Sequence, residues 1–359
     1  MSKFVISDKT MQAKEHKTIL LTFDYELFLG KRSGTVTRCI IEPTEQILNM
    51  LGQRKLCGIF FVDSTYLQKL NEYAPRFAQV ADDFNRIKAQ IRQMHQRGHY
   101  VFPHLHPHWL DAIYLPELNQ WDLSDNRHYR FHALSPEARR SVFSSSFDLL
   151  NQILLSTKKP FNLNGFRAGG WSIQPFSDYK PFFEEFGMKY DFTVMNGWAH
   201  FSTAQYFDFR TEKPLPCIYT FSDDVLKPVE GPYTEFGITR LMKSGFVNDI
   251  LDKMELKILP ARVRASYGDG FSIVAAGIKD ESIVNVEEPD SQWEMASLEL
   301  LKNHNIKNYM NYLKENSYLQ LISHPKMLSP HNLRNAERFL DWAINNYQVV
   351  SDFKKGIPS

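Results

Sequence analysis

Short apolar runs that end in carboxylate, imidazole or guanidinium side chains recur along this 359-residue chain, and they constrain its fold more than any other feature. Thr18 to Phe23 is β-branched and aromatic, which reads as a buried strand, and Asp24, Tyr25 and Glu26 follow it at once. Pro43 to Leu56 carries Ile47, Leu48 and Leu51 at helical spacing, and Gly58 marks its stop before a second strand, Ile59 to Val62. Phe84, Ile87, Ile91 and Met94 predict an amphipathic helix over Asp82 to Arg97, with a third strand at Tyr100 to Phe102. Ser135-Pro136 has the form of an N-cap with proline in the first turn and opens a helix to about Leu155.

Strand Asn162 to Phe166, helix Asp178 to Phe186, strand Lys189 to Val194, strand Tyr318 to Ile322 and a helix from Ser329-Pro330 through Asn346 continue the alternation. Repeated β-α units predict an α/β fold with a mostly parallel sheet or barrel. Between about Trp198 and Glu288 the pattern loosens into short β-like pieces with turns at Lys213-Pro214, Gly231-Pro232 and Gly268-Asp269-Gly270, which reads as an inserted or elaborated region. With no internal repeat and no linker, residues 1–359 are expected to form one domain.

Composition matters chiefly for what it excludes. Lys plus Arg number 42 against 41 Asp plus Glu, so no charge excess draws the chain to nucleic acid. Met1 to Lys17 lacks an apolar signal segment, and no window reaches the length of a spanning helix. A cytoplasmic protein without transmembrane segments is expected, with peripheral attachment to the inner membrane left open. Cys39, Cys57 and Cys217 are odd in number and widely spaced, which fits reduced thiols rather than a disulfide framework.

In parallel α/β architectures the C-terminal strand ends converge on one face, where sites are built. That rule gathers Asp24 and Glu26, His104, His106 and His108, Arg167, Asp191 and His324. Asp24 and Glu26 are two apart in extended backbone and so point to the same side. Two carboxylates near one point call for a cation, and imidazoles from His104 and His108 would complete an N/O ligand set suited to zinc, cobalt or nickel. Taken singly, each residue also has a bland reading: a solvated strand end, a surface histidine cluster, an arginine beside a glycine turn.

The order of the pieces resembles the polysaccharide deacetylases of carbohydrate esterase family four, the NodB-homology group. The matching segments are Thr22-Phe-Asp-Tyr-Glu26, Gly98-His-Tyr-Val-Phe-Pro-His-Leu-His-Pro-His108, Arg167-Ala-Gly-Gly-Trp171, Tyr190-Asp-Phe-Thr193 and Leu321-Ile-Ser-His324. The resemblance implies a NodB-like distorted (β/α) barrel with an elaboration at about 198–288. It also implies a metal-dependent hydrolase that removes an N-acetyl or related N-acyl group from an amino sugar. By the same resemblance, Asp24 is the general base and Glu26, His104 and His108 hold a divalent metal, zinc first, with cobalt, nickel or manganese as alternatives. His324 is the general acid, Arg167 positions Asp24, and Asp191 holds His324.

Tyr25, through its backbone N–H, and Trp171, as a stacking face, are expected at the substrate. Two departures stand out. Tyr25 occupies the place of the usual second aspartate, so the metal-binding acid falls on Glu26, and His106 is an extra candidate ligand. The Gly169-Gly170-Trp171 turn is similar to subgroups linked to lipopolysaccharide and O-antigen biosynthesis, and for the cytoplasmic protein expected above the substrate is expected to be a nucleotide-linked or lipid-linked glycan intermediate. A non-sugar amide and an inactive carbohydrate-binding relative are the alternative functions.

Overall fold

Strand β1 (His16–Tyr25) is buried from Ile19 onward, and β2 (Gly58–Asp63) is buried at every residue, as a strand covered on both faces must be. In the computed structural model, which describes residues 14–202, 205–243, 250–251, 254–255, 257–271 and 292–356, these two strands form the centre of the sheet. The next strands are β3 (Tyr100–Leu105), the small hairpin β4 (Ile113–Leu115) and β5 (Gln120–Asp122), β6 (Gly165–Ala168) and β7 (Tyr190–Asp191). Further along come the hairpin β8 (Ala199–Phe201) and β9 (Tyr206–Asp208), then β10 (Ile218–Phe221), β11 (Tyr233–Phe236) and β12 (Arg240–Met242). The last are β13 (Trp293–Met295), β14 (Tyr318–Ser323) and β15 (Gln348–Val350).

Among the described residues the main sheet has nine strands in the order β10-β11-β7-β6-β3-β2-β1-β14, with β15 beside the start of β1. Every pairing in it is parallel except β10 with β11. It curls into a half-barrel, the α/β architecture that the alternation predicts. Helices α1 (Glu42–Arg54), α2 (Ser64–Tyr73), α3 (Ala78–Gln96), α4 (Pro136–Leu155), α5 (Lys180–Phe186), α6 (Ile306–Glu315) and α7 (Pro330–Asn346) complete it.

Local chemistry explains the boundaries. The Ser135 side chain accepts from Ala138 N–H at the start of α4, and Ser329 with Asn332 forms a capping box at α7; each cap is worth about 1 kcal/mol. Gly187 ends α5 in the left-handed region. Helices α2 and α6 are additional to the sequence expectation: α2 starts directly from strand β2, capped by Asp63, and leaves no loop to announce it.

The elaborated region is not wholly separate from the sheet. Strand β11 lies parallel to β7, and β10 turns back on it, so part of residues 198–288 extends the main sheet. Residues 272–288 lie outside the described residues. The turn Gly268-Asp269-Gly270 latches onto the loop after β1: Asp269 accepts from Thr35 N–H and Thr35 Oγ1, each at 2.8 Å. The three cysteines are unpaired, and among the described residues no helix is long and apolar enough to cross a membrane.

Candidate metal centre and catalytic site

The sheet register delivers the polar residues to one place. His104 in β3 stands beside both Asp63 in β2 and Arg167 in β6, Asp24 sits near the end of β1, and His324 follows β14. Alternation along β1 then sorts Asp24, Tyr25 and Glu26 by face. Asp24 and Glu26 turn to the strand-end site, and Tyr25 turns into the core, where its buried hydroxyl donates to Gln90 Oε1 at 2.9 Å. The Tyr25 side chain is thus committed to the core, and the part expected of this residue at the substrate falls to its backbone N–H alone.

Asp24 is held by one of the most enclosed cations in the protein. Arg167, with no solvent exposure, donates from Nη1 to Asp24 Oδ1 at 2.6 Å, from Nη2 to Thr22 Oγ1 at 2.9 Å and from Nε to Phe192 O at 2.9 Å. Its guanidinium also stacks over the Phe61 ring at 4.2 Å. Burial pushes the Asp24 carboxyl up, but Arg167, with His104 and His324 behind it, holds it below the ordinary carboxylate range. Asp24 is thus an ionised carboxylate with one oxygen clamped and the other, Oδ2, facing His104 and His324 at 3.9 and 3.7 Å.

Glu26, His104 and His106 present three ligand atoms that all lie within 4.8 Å of one another. His104 Nε2 and His106 Nε2 are 3.0 Å apart, and they stand 3.4 and 2.8 Å from Glu26 Oε2. His104 Nδ1 lies 2.8 Å from Arg167 O, a pure acceptor, so this nitrogen carries the hydrogen and Nε2 is left to offer its lone pair. Glu26 Oε2 receives no hydrogen bond although it is fully buried. A carboxylate oxygen without a donor, facing two imidazole nitrogens that also face each other, fits a divalent cation of the zinc type. Burial raises the Glu26 carboxyl, yet Lys326 and His106 bring it well below its usual range, so it is ready as an anionic ligand.

The three residues whose ligand atoms converge differ from the expected ligands in a single imidazole. His106, named in the sequence as an extra candidate, joins Glu26 and His104. His108 lies in a helical turn one residue further on from Pro107, and its ring stacks on Tyr129 at 4.9 Å, with a 5.5 Å centroid separation from His106. Strand β3 ends at Leu105, so the backbone turns between the two histidines, and among the described residues the ligand atoms that converge are those of Glu26, His104 and His106.

The Gly169-Gly170 pair has a steric reason. A Cβ at Gly169 would sit 2.0 Å from Leu105 O and 2.9 Å from His106 Nδ1, and Gly170, at φ +57°, would meet the Tyr129 ring at 2.6 Å. These glycines let the turn after β6 press against the backbone that carries His106. Trp171 follows, half-buried, with its ring edge-on to Phe207 at 5.7 Å.

His324 is oriented by Glu299, a residue with no precedent in the sequence pattern. The Glu299 carboxylate takes the His324 backbone N–H at 2.6 Å and lies 3.1 Å from Nδ1, which leaves Nε2 facing the two strand-end carboxylates. Burial pulls the His324 imidazole down, but Glu299 first, then Asp24 and Glu26, raise it to about 9. Asp191, expected to hold His324, instead accepts from Thr193 Oγ1 at 2.6 Å and shares a buried contact with Glu235. Burial raises Asp191 to about 6 and, together with Asp191, raises Glu235 well above its usual range.

No family model matches the chain, and no curated protein does either. Among solved structures it is similar to a Mycobacterium smegmatis protein assigned as a polysaccharide deacetylase, at 13% identity and a TM-score of 0.46, over 96% of this chain and 92% of that one. A Puue allantoinase is similar at 12% identity and a TM-score of 0.45, over 93% and 86%. A GH57 branching enzyme from Thermococcus kodakaraensis, in complex with glucose, is similar at 10% identity and a TM-score of 0.47, over 96% and 70%. Likenesses this distant assign no activity, and the functional reading rests on the side chains of the site.

Two residues of the site escaped the sequence, Glu299 and Lys326. Lys326 stands two residues after His324 in Ser323-His-Pro-Lys326, and nothing in that string announces that its ammonium is buried against Glu26 at 2.8 Å. Glu299 follows the loosely patterned region, where no periodicity marks its place.

Proposed function

We propose that the protein is a metal-dependent hydrolase that removes an N-acetyl or related N-acyl group from an amino sugar. The observation that carries this reading is the convergence of Glu26, His104 and His106 on one point, beside a carboxylate held by Arg167 and an imidazole held by Glu299. Glu26, His104 and His106 would hold a divalent ion, which would supply Lewis acidity toward water and an acyl oxygen. The chain's own groups supply the proton transfers. Asp24, kept ionised by Arg167, accepts a proton from the attacking water through Oδ2. His324, protonated at neutral pH and directed by Glu299, gives a proton from Nε2 to the departing amine. The amide C–N bond breaks, a C–O bond forms, and the products are acetate and the free amino sugar.

The sugar half of the reading rests on the ordered motifs from Thr22 to His324 and on Trp171 beside the turn after β6, an aromatic face suited to the apolar side of a sugar ring. We take the substrate to be a nucleotide-linked or lipid-linked glycan intermediate of surface-polysaccharide assembly, in line with the likeness of the Gly169-Gly170-Trp171 turn to lipopolysaccharide and O-antigen subgroups. The test is acetate release from nucleotide-linked and oligomeric N-acetylglucosamine by protein loaded with zinc or cobalt. Release that stops on chelation and returns with either metal is expected. Acetate release from no N-acetylated sugar with any metal contradicts the reading, and turnover of a cyclic or linear non-sugar amide in the same assay redirects it.

A further inference from the structure

We propose that Lys326 is a positioning residue that reserves one oxygen of Glu26, so that the metal centre engages this carboxylate through Oε2 alone and holds its ion less tightly than the same ligands would without it. The inference rests on the metal reading given above and concerns a residue which that reading does not use.

Lys326 sits in the short turn Pro325–Met327 between β14 and α7, and its side chain is almost fully buried. Its Nζ lies 2.8 Å from Glu26 Oε1 and 2.6 Å from Leu27 O, and 5.2 Å from the centroid of the Phe28 ring. The backbone fixes its place: Gly268 N–H donates to Lys326 O at 3.0 Å, and Met327 N–H donates to His324 O at 2.9 Å. A Cβ at Gly268 would lie 2.7 Å from Lys326 O, so the latch from the elaborated region closes directly over this lysine. The two oxygens of Glu26 therefore have separate duties. Oε1 is taken by the ammonium, and Oε2 has no donor and faces His104 and His106.

Two consequences follow from Coulomb's law in an enclosed site. A fixed positive charge on the far oxygen of a ligand repels a divalent ion on the near one, which lowers affinity. The same charge keeps Glu26 compensated when the metal is absent, so that emptying the centre does not strand a buried anion. Neutralising Lys326 removes both effects, and both changes tighten metal binding. Without the ammonium, Oε1 is also free to join the coordination shell.

The experiment compares the wild type with Lys326→Gln, Lys326→Met and Lys326→Arg by zinc titration against a chromophoric chelator and by the visible spectrum of the cobalt-loaded proteins. The glutamine keeps a donor for Glu26 and Leu27 without the charge, the methionine removes both, and the arginine keeps the charge. Expected are zinc dissociation constants at least about tenfold lower for the two neutral variants and close to wild type for the arginine. The cobalt bands of the neutral variants are expected to weaken as Glu26 takes up a second metal bond and the coordination number rises. Neutral variants that bind zinc as the wild type does, or more weakly, overturn the inference while leaving the metal reading standing. A wild type that binds no metal overturns both. Loss of folding in both neutral variants with a folded arginine variant makes Lys326 purely structural and also overturns it.

Discussion

Replacing Asp24 by Asn is expected to lower the turnover number for acyl release by about 10²- to 10⁴-fold, the usual contribution of a positioned general base. The amide is the same size as the carboxylate and its oxygen can still accept from Arg167 Nη1, but it takes no proton from water. Because Asp24 is not one of the three converging ligands, zinc content is expected to stay at one ion per chain. Steady-state kinetics beside metal analysis separates the outcomes: full activity removes Asp24 from the chemistry, and loss of the metal moves it into the ligand set.

Arg167→Met is expected to cost about 3–5 kcal/mol of folding stability, the range for breaking a buried ion pair by removing one partner. The arginine has no solvent exposure, and its loss leaves Asp24, Thr22 Oγ1 and Phe192 O without the donor each now has. The pH dependence has a definite sign. In the wild type the Asp24 carboxyl is depressed, so its contribution is present above the unfolded value of about 3.8 and is lost as pH falls through the folded value. In the variant, burial acts with less opposition and raises the carboxyl, so stability falls as pH rises above that unfolded value. The difference between the two proteins is therefore expected to be larger at pH 8 than at pH 5 in chelator-treated thermal unfolding. The double variant with Asp24→Asn should recover part of the loss, because it leaves no uncompensated charge. A single variant as stable as the wild type at pH 8 contradicts the account of Arg167.

The elements that carry strong periodicity were legible in the sequence, and so were the residues at their ends. Thr18 to Phe23 reads as a strand because every residue in it suits a buried sheet, and once it is extended Asp24 and Glu26 must share a face. The same rule consigns the Tyr25 side chain to the opposite face, where it meets Gln90. What the sequence does not carry is the path of the chain beyond a strand end. In His104-Leu-His-Pro-His108 the spacing leaves open which two imidazoles meet Glu26, and the answer depends on the turn that Pro107 starts and on the space left by Gly169. Glu299 and Lys326 belong to the same class: each acts across a long interval of sequence, and neither has a local pattern that marks it as buried.

The measurement closest to the central claim is the anomalous difference map of a zinc-soaked crystal recorded at the zinc edge. The account predicts one strong peak per chain bonded to Glu26 Oε2, His104 Nε2 and His106 Nε2, with His108 still stacked on Tyr129. A peak held by His108 in place of His106, or no peak near Glu26 at zinc concentrations that saturate ordinary hydrolytic centres, would contradict it.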